Sequence, residues 1–426
     1  MSAARAKLAQ RPLAIHPKGS DSKGSQLELI ISEKPQYLYT FDRDKFISFV
    51  DEFLFEHSSA WSYAVQWQNA IVAIGSHGCR VFPSTNNTVF HSPTKQQALL
   101  STSKPFSAVA MLKLLREKGI SIDTKIGDFL PPATMHGDAL ITFDGDCADI
   151  TFRMLLNHTT ALCDAKDVTN LPSARSDDVL LTLSKYKKSN PFPLVVPRYL
   201  NIEFSLLRVL AYFLLGNPPL STLIAYRGCG KFFAEYIQST VLVPSGILRT
   251  DTWSSAGVNI YFAYQHPHEV YATDEGIALY ELSGVALAGP SGLFLSPLEV
   301  LQFSTALYTG KLLAGVDLAE MHTFSAVSMY GLGIERVESA KYKSWPGKVV
   351  YFGHSGDLYK NEAKAIAVRS RWIAMPETGF GVSILTNCCD GLNGTTLPSK
   401  DLRYHLCDWL DQCLTRKVFS PPSPGI

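Results

Sequence analysis

Apolar residues recur at helical spacing in several stretches of this chain, and in others they follow one another as in strands. Ala108, Met111, Leu112 and Leu115 predict a helix over 101–118, with Gly119 as a suitable residue to end it. The same reasoning predicts helices over 41–57, 149–157, 202–215 and 402–414. Strand-like runs occur at 61–75 with a hairpin to 79–82, and at 349–352, 365–373 and 381–386. This order predicts an α+β fold with a sheet assembled from both chain ends, and a helical region of about 120–300 inserted between the sheet halves.

The two ends of the 426-residue chain differ in composition from its middle. Residues 1–26 are polar and show little apolar periodicity, which predicts a flexible tail. Residues 416–426 are interpreted as a second tail, because the prolines after residue 419 exclude regular structure there. No linker or repeat divides the sequence between them, so residues 27–415 are predicted to form a single domain.

The charges of the chain almost cancel, with 39 lysines and arginines against 38 aspartates and glutamates. Without a basic field, we expect no binding to nucleic acid or to an anionic membrane. No apolar run has the length of a membrane span, and the first residues contain no apolar signal-peptide core. We therefore expect a cytoplasmic protein whose partner is a small molecule.

Cysteine and histidine patterns predict neither a disulfide scaffold nor a metal site. The eight cysteines are sparse and none forms a Cys-x-x-Cys pair, so we expect mostly free thiols, including the adjacent Cys388 and Cys389. His266 and His268 resemble half of a metal site, but no third ligand has convincing spacing. The sequence therefore predicts no metal and no other cofactor.

The sharpest local feature is Ser101-Thr-Ser-Lys104, at the start of the predicted helix. A spacing of three puts the hydroxyl and the amine on one helical face, where a neutral amine can take the serine's proton. The start of a helix also favours negative charge that develops there. Other Ser-x-x-Lys strings begin at Ser20, Ser92 and Ser184, but none of them opens an apolar-periodic helix. The simpler alternative is that Ser101 only caps its helix.

Further motifs follow Ser101 in a defined order. They are Leu155-Leu-Asn-His-Thr-Thr-Ala-Leu162, Pro197-Arg-Tyr-Leu-Asn201, Val243-Pro-Ser-Gly-Ile247, Gly289-Pro-Ser-Gly-Leu-Phe-Leu-Ser296, Tyr330-Gly-Leu-Gly333, Gly353-His-Ser-Gly356 and Leu385-Thr-Asn387. With this series the chain resembles the serine β-lactamase-like family over about residues 28–415, and most nearly its class C β-lactamases, esterases, D-aminopeptidases and fungal transesterases. The resemblance implies a β-lactamase/transpeptidase-like fold with an antiparallel sheet flanked by helices.

The resemblance also implies roles for four residues around the proposed nucleophile. Ser101 matches the family's acylated serine, and Lys104 matches its helix lysine. Tyr199 matches the tyrosine of the Tyr-x-Asn motif, which shares proton transfer with the lysine. Asn201 matches the amide that orients the lysine or the substrate. The structural alternatives are a core tyrosine with a satisfied hydroxyl and an asparagine that only caps a helix.

His354, Ser355 and Gly356 stand where the family has Lys-Thr-Gly or His-x-Gly, on the strand that lines the cleft. The resemblance assigns the oxyanion hole to the backbone N–H groups of Ser101 and Asp357. Histidine in place of lysine removes a permanent positive charge, which makes recognition of a β-lactam carboxylate unfavourable. Asp357 brings an acid beside the oxyanion hole, although strand alternation can turn its carboxylate away.

These assignments predict a serine acyl-enzyme hydrolase or acyltransferase acting on an ester, thioester or amide of a small, partly apolar molecule, with a place in secondary metabolism. An acyl acceptor or a carrier-bound acyl donor is a further expected partner, and the oligomeric state is left open. One alternative is a binding or scaffold protein with an altered site, motivated by Ala161 and Asp357 in place of residues usual in the family. Another is isomerisation or cyclisation by Tyr199, Lys104 and His354 without acylation. The segments 163–197 and 258–288, the second rich in aromatic residues, are expected to determine specificity.

Overall fold

The computed structural model describes residues 37–58, 60–81, 89–143, 145–160, 162, 176–188, 191–253, 284–324, 328–338, 350–359, 367–386 and 402–418. Several expectations concern residues outside these ranges. They are the tail 1–26, Ala161, residues 163–175, 189 and 190 of the segment 163–197, the aromatic residues of 258–283, the half metal site of His266 and His268, and the pair Cys388 and Cys389.

The strands of the described residues lie mainly near the two ends of the chain. They are β1 Tyr37–Phe41, β2 Trp61–Trp67, β3 Ala70–His77, β4 Cys79–Val81, β5 Val89–Phe90, β6 Gln97–Ala98, β7 Ala133–His136, β8 Ala139–Thr142, β9 Phe294–Leu295, β10 Glu335–Glu338, β11 Val350–Tyr359, β12 Ala367–Met375, β13 Phe380–Thr386 and β14 Leu414–Val418.

The helices of the described residues lie mostly between those strands. They are α1 Arg43–His57, α2 Lys104–Glu117, α3 Phe152–Leu156, α4 Ser176–Ser184, α5 Asn201–Leu214, α6 Cys229–Ile237, α7 Pro297–Tyr308, α8 Gly315–Met321 and α9 Leu402–Cys413. The five helices predicted from periodicity are confirmed as α1, α2, α3, α5 and α9, with ends that differ by three residues at most.

The main sheet has the strand order β10-β11-β12-β13-β2-β3, and all neighbouring strands are antiparallel. Two of its strands precede the helical region and four follow it, which confirms the predicted assembly from both chain ends. β13 is buried along its whole length, as expected of a strand covered on both faces. Helix α7 packs on β13 and β2, and α9 packs on β10 and β12.

Helix α2 lies inside the core rather than on its surface. Residues 104–112 are all buried, so the first turns of the helix are covered on every side. Phe106 stacks on Phe303 of α7 with 3.7 Å between ring centroids, and Phe303 meets the edge of Trp372 of β12 at 5.7 Å. These contacts connect α2, and the residues that precede it, to the main sheet.

The prediction of one strand over 61–75 was wrong, because a turn at Gln68 and Asn69 divides it into β2 and β3. Both turn residues have positive φ, at 52° and 61°. This left-handed conformation is the one that tight hairpin turns require, and it usually attracts glycine. The sequence has no glycine at this turn, and its apolar pattern continues across the turn without a break. The pattern therefore predicted one strand instead of two.

Strand β11 also extends further than predicted, from Val350 to Tyr359 instead of ending at residue 352. Its second half contains the polar run His354–Asp357, which apolar patterning does not mark as strand. The polar side chains of this run have partners inside the protein, as described below.

Strands β1 and β14 pair in a separate two-stranded antiparallel sheet, with Tyr37 opposite Val418 and Phe41 opposite Leu414. Among the described residues, Tyr37–Phe41 and Leu414–Val418 form one unit, and those within Asp42–Cys413 form the other. β14 includes residues 416–418, at which the predicted C-terminal tail begins. The single domain over 27–415 stays a prediction.

Candidate active site

Ser101 lies in a short 3-10 turn, Leu100–Ser103, that leads directly into α2. Leu100 has φ of 53°, which is unusual for a residue with a branched side chain and indicates local strain. The Thr102 hydroxyl lies 2.8 Å from the Ser370 hydroxyl, which in turn donates to the Leu99 carbonyl at 2.5 Å. Strand β12 therefore holds the strained turn on both sides of Ser101.

The Lys104 amine is fully buried behind Ser101 and has three oxygen partners. Its Nζ lies 3.0 Å from Ser101 Oγ, 2.8 Å from Asn201 Oδ1 and 3.0 Å from the Pro290 carbonyl oxygen. Burial lowers the pKa of Lys104 well below its usual range, against the opposing charge of Glu203. A neutral amine has two N–H groups and one lone pair. With both carbonyl oxygens accepting those N–H groups, the lone pair faces the Ser101 hydroxyl.

Tyr199 and Asn201 reach the same point from the start of α5. Asn201 is the first residue of that helix, and its side-chain oxygen accepts from Lys104. Tyr199 lies just before the helix, with its ring centroid 4.6 Å from Lys104 Nζ, and it lines the same cleft as Ser101. Although Tyr199 is 37% exposed at the cleft, partial burial raises the pKa of its hydroxyl above the usual range. The structure thus brings together the four residues predicted around the nucleophile.

Gly356 explains how β11 can lie against the Ser101 turn. A methyl group on this residue would overlap with the Leu99 carbonyl oxygen and would lie 2.5 Å from Ser370 Oγ and 2.9 Å from Leu100 Cβ. Any larger residue would therefore push the strand away from the turn. The glycine predicted at the oxyanion side of the site is required sterically.

His354 is buried on β11, lines the cleft and has a partner that was not predicted. Its Nε2 lies 2.9 Å from the hydroxyl of Tyr330, and its Nδ1 lies 2.7 Å from the Ser355 carbonyl oxygen. Burial, together with the nearby charge of Lys104, lowers the pKa of His354 to about 3. The position at which the resemblance places a lysine therefore carries a neutral ring.

Asp357 lines the cleft, but its negative charge is paired. Its Oδ1 accepts from Arg371 at 2.7 Å and lies 3.5 Å from Arg369 Nε. Both arginines are on β12, and Arg369 is the register partner of Asp357. Because successive residues of a strand face opposite sides, Asp357 and Ser355 share a face that His354 does not. The acid expected beside the oxyanion hole is therefore compensated by neighbouring arginines.

Three contributors to this arrangement were missed by the sequence analysis. The Pro290 carbonyl is a backbone group, so no residue type marks it in the sequence, although its motif was recognised. Gly289, the residue before it, has φ of 112°, a conformation open mainly to glycine. Tyr330 begins a motif to which no role was given. Glu203 is fully buried two residues after Asn201, in contact with His158 and Thr160. In the sequence an acid in the first turn of a helix gives no sign that it is buried, so no signal was available for Glu203.

The site opens into a cleft of about 550 Å³. Its lining residues are Ser101, His158, Val196, Pro197, Tyr199, Asn201, Ser328, Met329, Tyr330, Glu335, Arg336, Val337, His354, Ser355, Asp357 and Arg403. Among them Val196 is 62% exposed and Met329 44%, so the wall has an apolar part open to a ligand. The charged Arg403 and Glu335 form an ion pair with each other.

Metal ligands, cysteine thiols and membrane-spanning helices add little to this site in the described residues. Within the described ranges, no cluster of three or more histidine, cysteine or acidic side chains could hold a metal ion. Four cysteines in those ranges are buried free thiols, Cys147, Cys229, Cys407 and Cys413. No helix in the described part of the chain is long and apolar enough to cross a membrane.

Comparison with known proteins agrees with the motif series. A family model described as Beta-lactamase matches residues 70–393. A D-amino acid amidase from Ochrobactrum anthropi SV3 is similar with a TM-score of 0.60 and 16% identity, covering 87% of this chain and 97% of that one. A class C beta lactamase from Rhodobacter sphaeroides is similar with a TM-score of 0.58 and 15% identity, covering 87% of this chain and 99% of that one. A D-stereospecific amidohydrolase from Streptomyces sp. is similar with a TM-score of 0.58 and 17% identity, covering 82% of this chain and 96% of that one. These likenesses confirm the predicted α+β fold of β-lactamase/transpeptidase type.

Proposed function

Because this chain belongs to the beta-lactamase family, we propose that it is a serine acyl-enzyme hydrolase or acyltransferase, acting on an ester, thioester or amide of a small, partly apolar molecule. The observation that carries the proposal is the buried Lys104 amine, 3.0 Å from Ser101 Oγ and bounded by two carbonyl oxygens. In that setting the amine can be neutral near pH 7 and can act as a base.

In the proposed reaction, Ser101 Oγ forms a bond to the acyl carbon while its proton passes to Lys104. The bond from the acyl carbon to the leaving group then breaks, and the proton reaches the leaving group through the Tyr199 hydroxyl. The N–H groups of Ser101 and Asp357 are the proposed donors to the tetrahedral oxyanion, each typically worth ~3 kcal/mol. Water or another nucleophile then attacks the acyl-enzyme, which gives hydrolysis or transfer.

The charges of the cleft favour a neutral substrate with an apolar part. Val196 and Met329 present apolar surface, and three of the four charged lining residues are held in ion pairs, Arg403 with Glu335 and Asp357 with Arg371; the fourth, Arg336, lies over the Phe324 ring. A neutral ester would bind without disrupting these pairs. Roles in secondary metabolism, with a carrier-bound donor, and in the cytoplasm stay proposals from the sequence.

The two alternative functions receive less support. Isomerisation would use His354 as an acid or base, but its low pKa, about 3, makes it a weak base. The altered-site hypothesis was motivated partly by the acid at residue 357, and that acid is paired with arginines. The intact contacts among Ser101, Lys104 and Asn201 argue for retained chemistry.

Ser101→Ala tests the proposal. A fluorophosphonate probe should add its mass to the wild-type protein and not to this variant, and turnover of p-nitrophenyl butyrate should be lost, because the attacking oxygen is gone. Ser92→Ala and Ser184→Ala are matched controls, since both serines begin Ser-x-x-Lys strings whose lysines, Lys95 and Lys187, are exposed. Labelling and turnover by Ser101→Ala at wild-type rates would refute the proposal.

A further inference from the structure

Glu203 is a fully buried carboxylate beside the Ser101–Lys104 pair for which the reaction above has no use. It lies in the first turn of α5, two residues after Asn201, and Lys104 Nζ lies 5.7 Å from the ring centroid of the next residue, Phe204. Its Oε2 contacts His158 Nδ1, and its Oε1 contacts both the backbone N–H and the hydroxyl of Thr160. The two Thr160 donors favour the ionised form of the carboxylate, and His158 Nδ1 also lies 3.3 Å from the Leu200 backbone N–H.

The other titratable groups around Lys104 are kept uncharged. Burial lowers the pKa of both His158 and His354, and the charge of Lys104 acts in the same direction. Burial raises the pKa of the Tyr199 and Tyr330 hydroxyls. Two neutral imidazoles and two neutral phenols therefore line the cleft that contains Ser101.

Among the charged residues that line the cleft, three are held in ion pairs, and the fourth, Arg336, lies over the Phe324 ring. Asp357 pairs with Arg371 and Arg369, and Arg403 pairs with Glu335. Lys104 and Glu203 are therefore the pair best placed to hold opposite charges inside the site. Burial favours the neutral form of each, lowering the pKa of Lys104 and raising that of Glu203, whereas their mutual attraction favours the charged forms.

We propose that Glu203, held by Thr160 and His158, is a positioning residue for the Lys104 amine: its negative charge stabilises the proton that Lys104 takes from Ser101 and sets the pH at which the amine becomes a base. This inference rests on the proposed function. When Ser101 attacks, the amine becomes an ammonium in a dry site, and the carboxylate supplies the compensating charge. The same attraction keeps a proton on the amine to higher pH in the resting protein.

Glu203→Gln removes the charge and keeps the shape. With a fluorophosphonate, Ser101 Oγ forms a bond to phosphorus, fluoride leaves, and the proton goes to Lys104. Because fluoride needs no proton donor, the labelling rate reports the base alone. Loss of the carboxylate lowers the proton affinity of Lys104. The acid limb of the pH–rate profile, in which the labelling rate rises with pH as Lys104 loses its proton, therefore moves to lower pH. We expect the ratio of the rate at pH 6 to that at pH 8 to rise at least about threefold, while the plateau at high pH falls by about tenfold or more.

Two variants in one turn provide a second measurement and a control. Thr160→Val removes a donor that favours the ionised carboxylate, so it should move the acid limb in the same direction by a smaller amount. Thr159→Val is the matched control, because the Thr159 hydroxyl pairs with the Asn157 side chain at 2.7 Å and not with Glu203. Its acid limb should stay at the wild-type pH.

Each outcome has a defined meaning. If wild-type Ser101 is not labelled at any pH, the proposed function fails and this inference fails with it. If labelling occurs but Glu203→Gln lowers the rate equally at all pH values, Glu203 has only a structural role and this inference alone is overturned. If Glu203→Gln does not fold, as judged by circular dichroism, the acid limb of Thr160→Val decides, and an unmoved limb overturns the inference.

Discussion

Replacing Gly356 with alanine tests whether the close approach of β11 keeps Ser101 in its reactive position. The added methyl group would lie 2.5 Å from Ser370 Oγ, which is 0.9 Å inside the 3.4 Å at which ordinary contacts begin. It would also overlap with the Leu99 carbonyl, a backbone atom that cannot rotate away. The strand or the turn must therefore shift.

The two consequences of that shift differ in size. Overpacking in a well-packed core typically costs about 1–3 kcal/mol of the free energy of unfolding, which a chain of this size should tolerate. A displacement of about 1 Å at the nucleophile can lower the rate of reaction ~100-fold. We therefore expect activity to fall much further than stability in Gly356→Ala.

The assay compares denaturant unfolding with the rate of Ser101 labelling by a fluorophosphonate. Gly315→Ala is the control, because Gly315 begins α8 and a methyl group there meets nothing within 4 Å. It should keep wild-type activity and stability to within about 1 kcal/mol. Wild-type labelling by Gly356→Ala would show that the packing of β11 against the turn does not hold Ser101, and the steric argument would be wrong.

Lys104→Ala and Tyr199→Phe should each reduce the acylation rate by roughly 100-fold or more, as expected for loss of general base catalysis. Because they act on one proton, the double variant should lose much less than the product of the single losses; additive losses in single-turnover kinetics would contradict shared proton transfer. Wild-type kcat/KM for nitrocefin should be at least about tenfold below that for p-nitrophenyl butyrate, since the β-lactam carboxylate finds no free cation at His354. His354→Lys should raise kcat/KM for nitrocefin more than kcat/KM for the neutral ester. Equal changes in the two values would refute the charge argument.

The sequence predicted the fold where apolar periodicity alone decides the structure. Helices α2, α5 and α9 are long and periodic, and their predicted ends lie close to the observed ones. The pattern failed where a turn used Gln68 and Asn69 without glycine, and where β11 continued through polar residues. In both places the deciding contacts are formed by distant parts of the chain or by backbone conformation, which a local pattern does not contain.

The sequence could predict those parts of the candidate site that are side chains within recognisable motifs. Ser101, Lys104, Tyr199 and Asn201 could be named from motif order, and they meet in the structure. The Pro290 carbonyl could not be named, because every residue has a carbonyl and only the fold directs this one to the amine.

Glu203 was missed for a different reason. An acidic residue in the first turn of a helix is ordinary, since it is favoured by the helix dipole. Nothing local distinguishes such a surface acid from one that is buried against His158 and Thr160. Its environment is created by residues about 45 positions earlier in the chain.

Burial explains why one Ser-x-x-Lys string differs from its copies. In Ser92–Lys95 and Ser184–Lys187 the lysine is exposed to solvent, so its amine lacks the desolvation that favours the neutral form of Lys104. Lys104 begins a helix whose first nine residues are buried, so the same packing that places Phe106 against Phe303 also desolvates the amine. We therefore expect the proposed reactivity of Ser101 to depend on the apolar pattern of α2 as much as on the motif itself, because burial of the first turns of the helix favours a neutral Lys104.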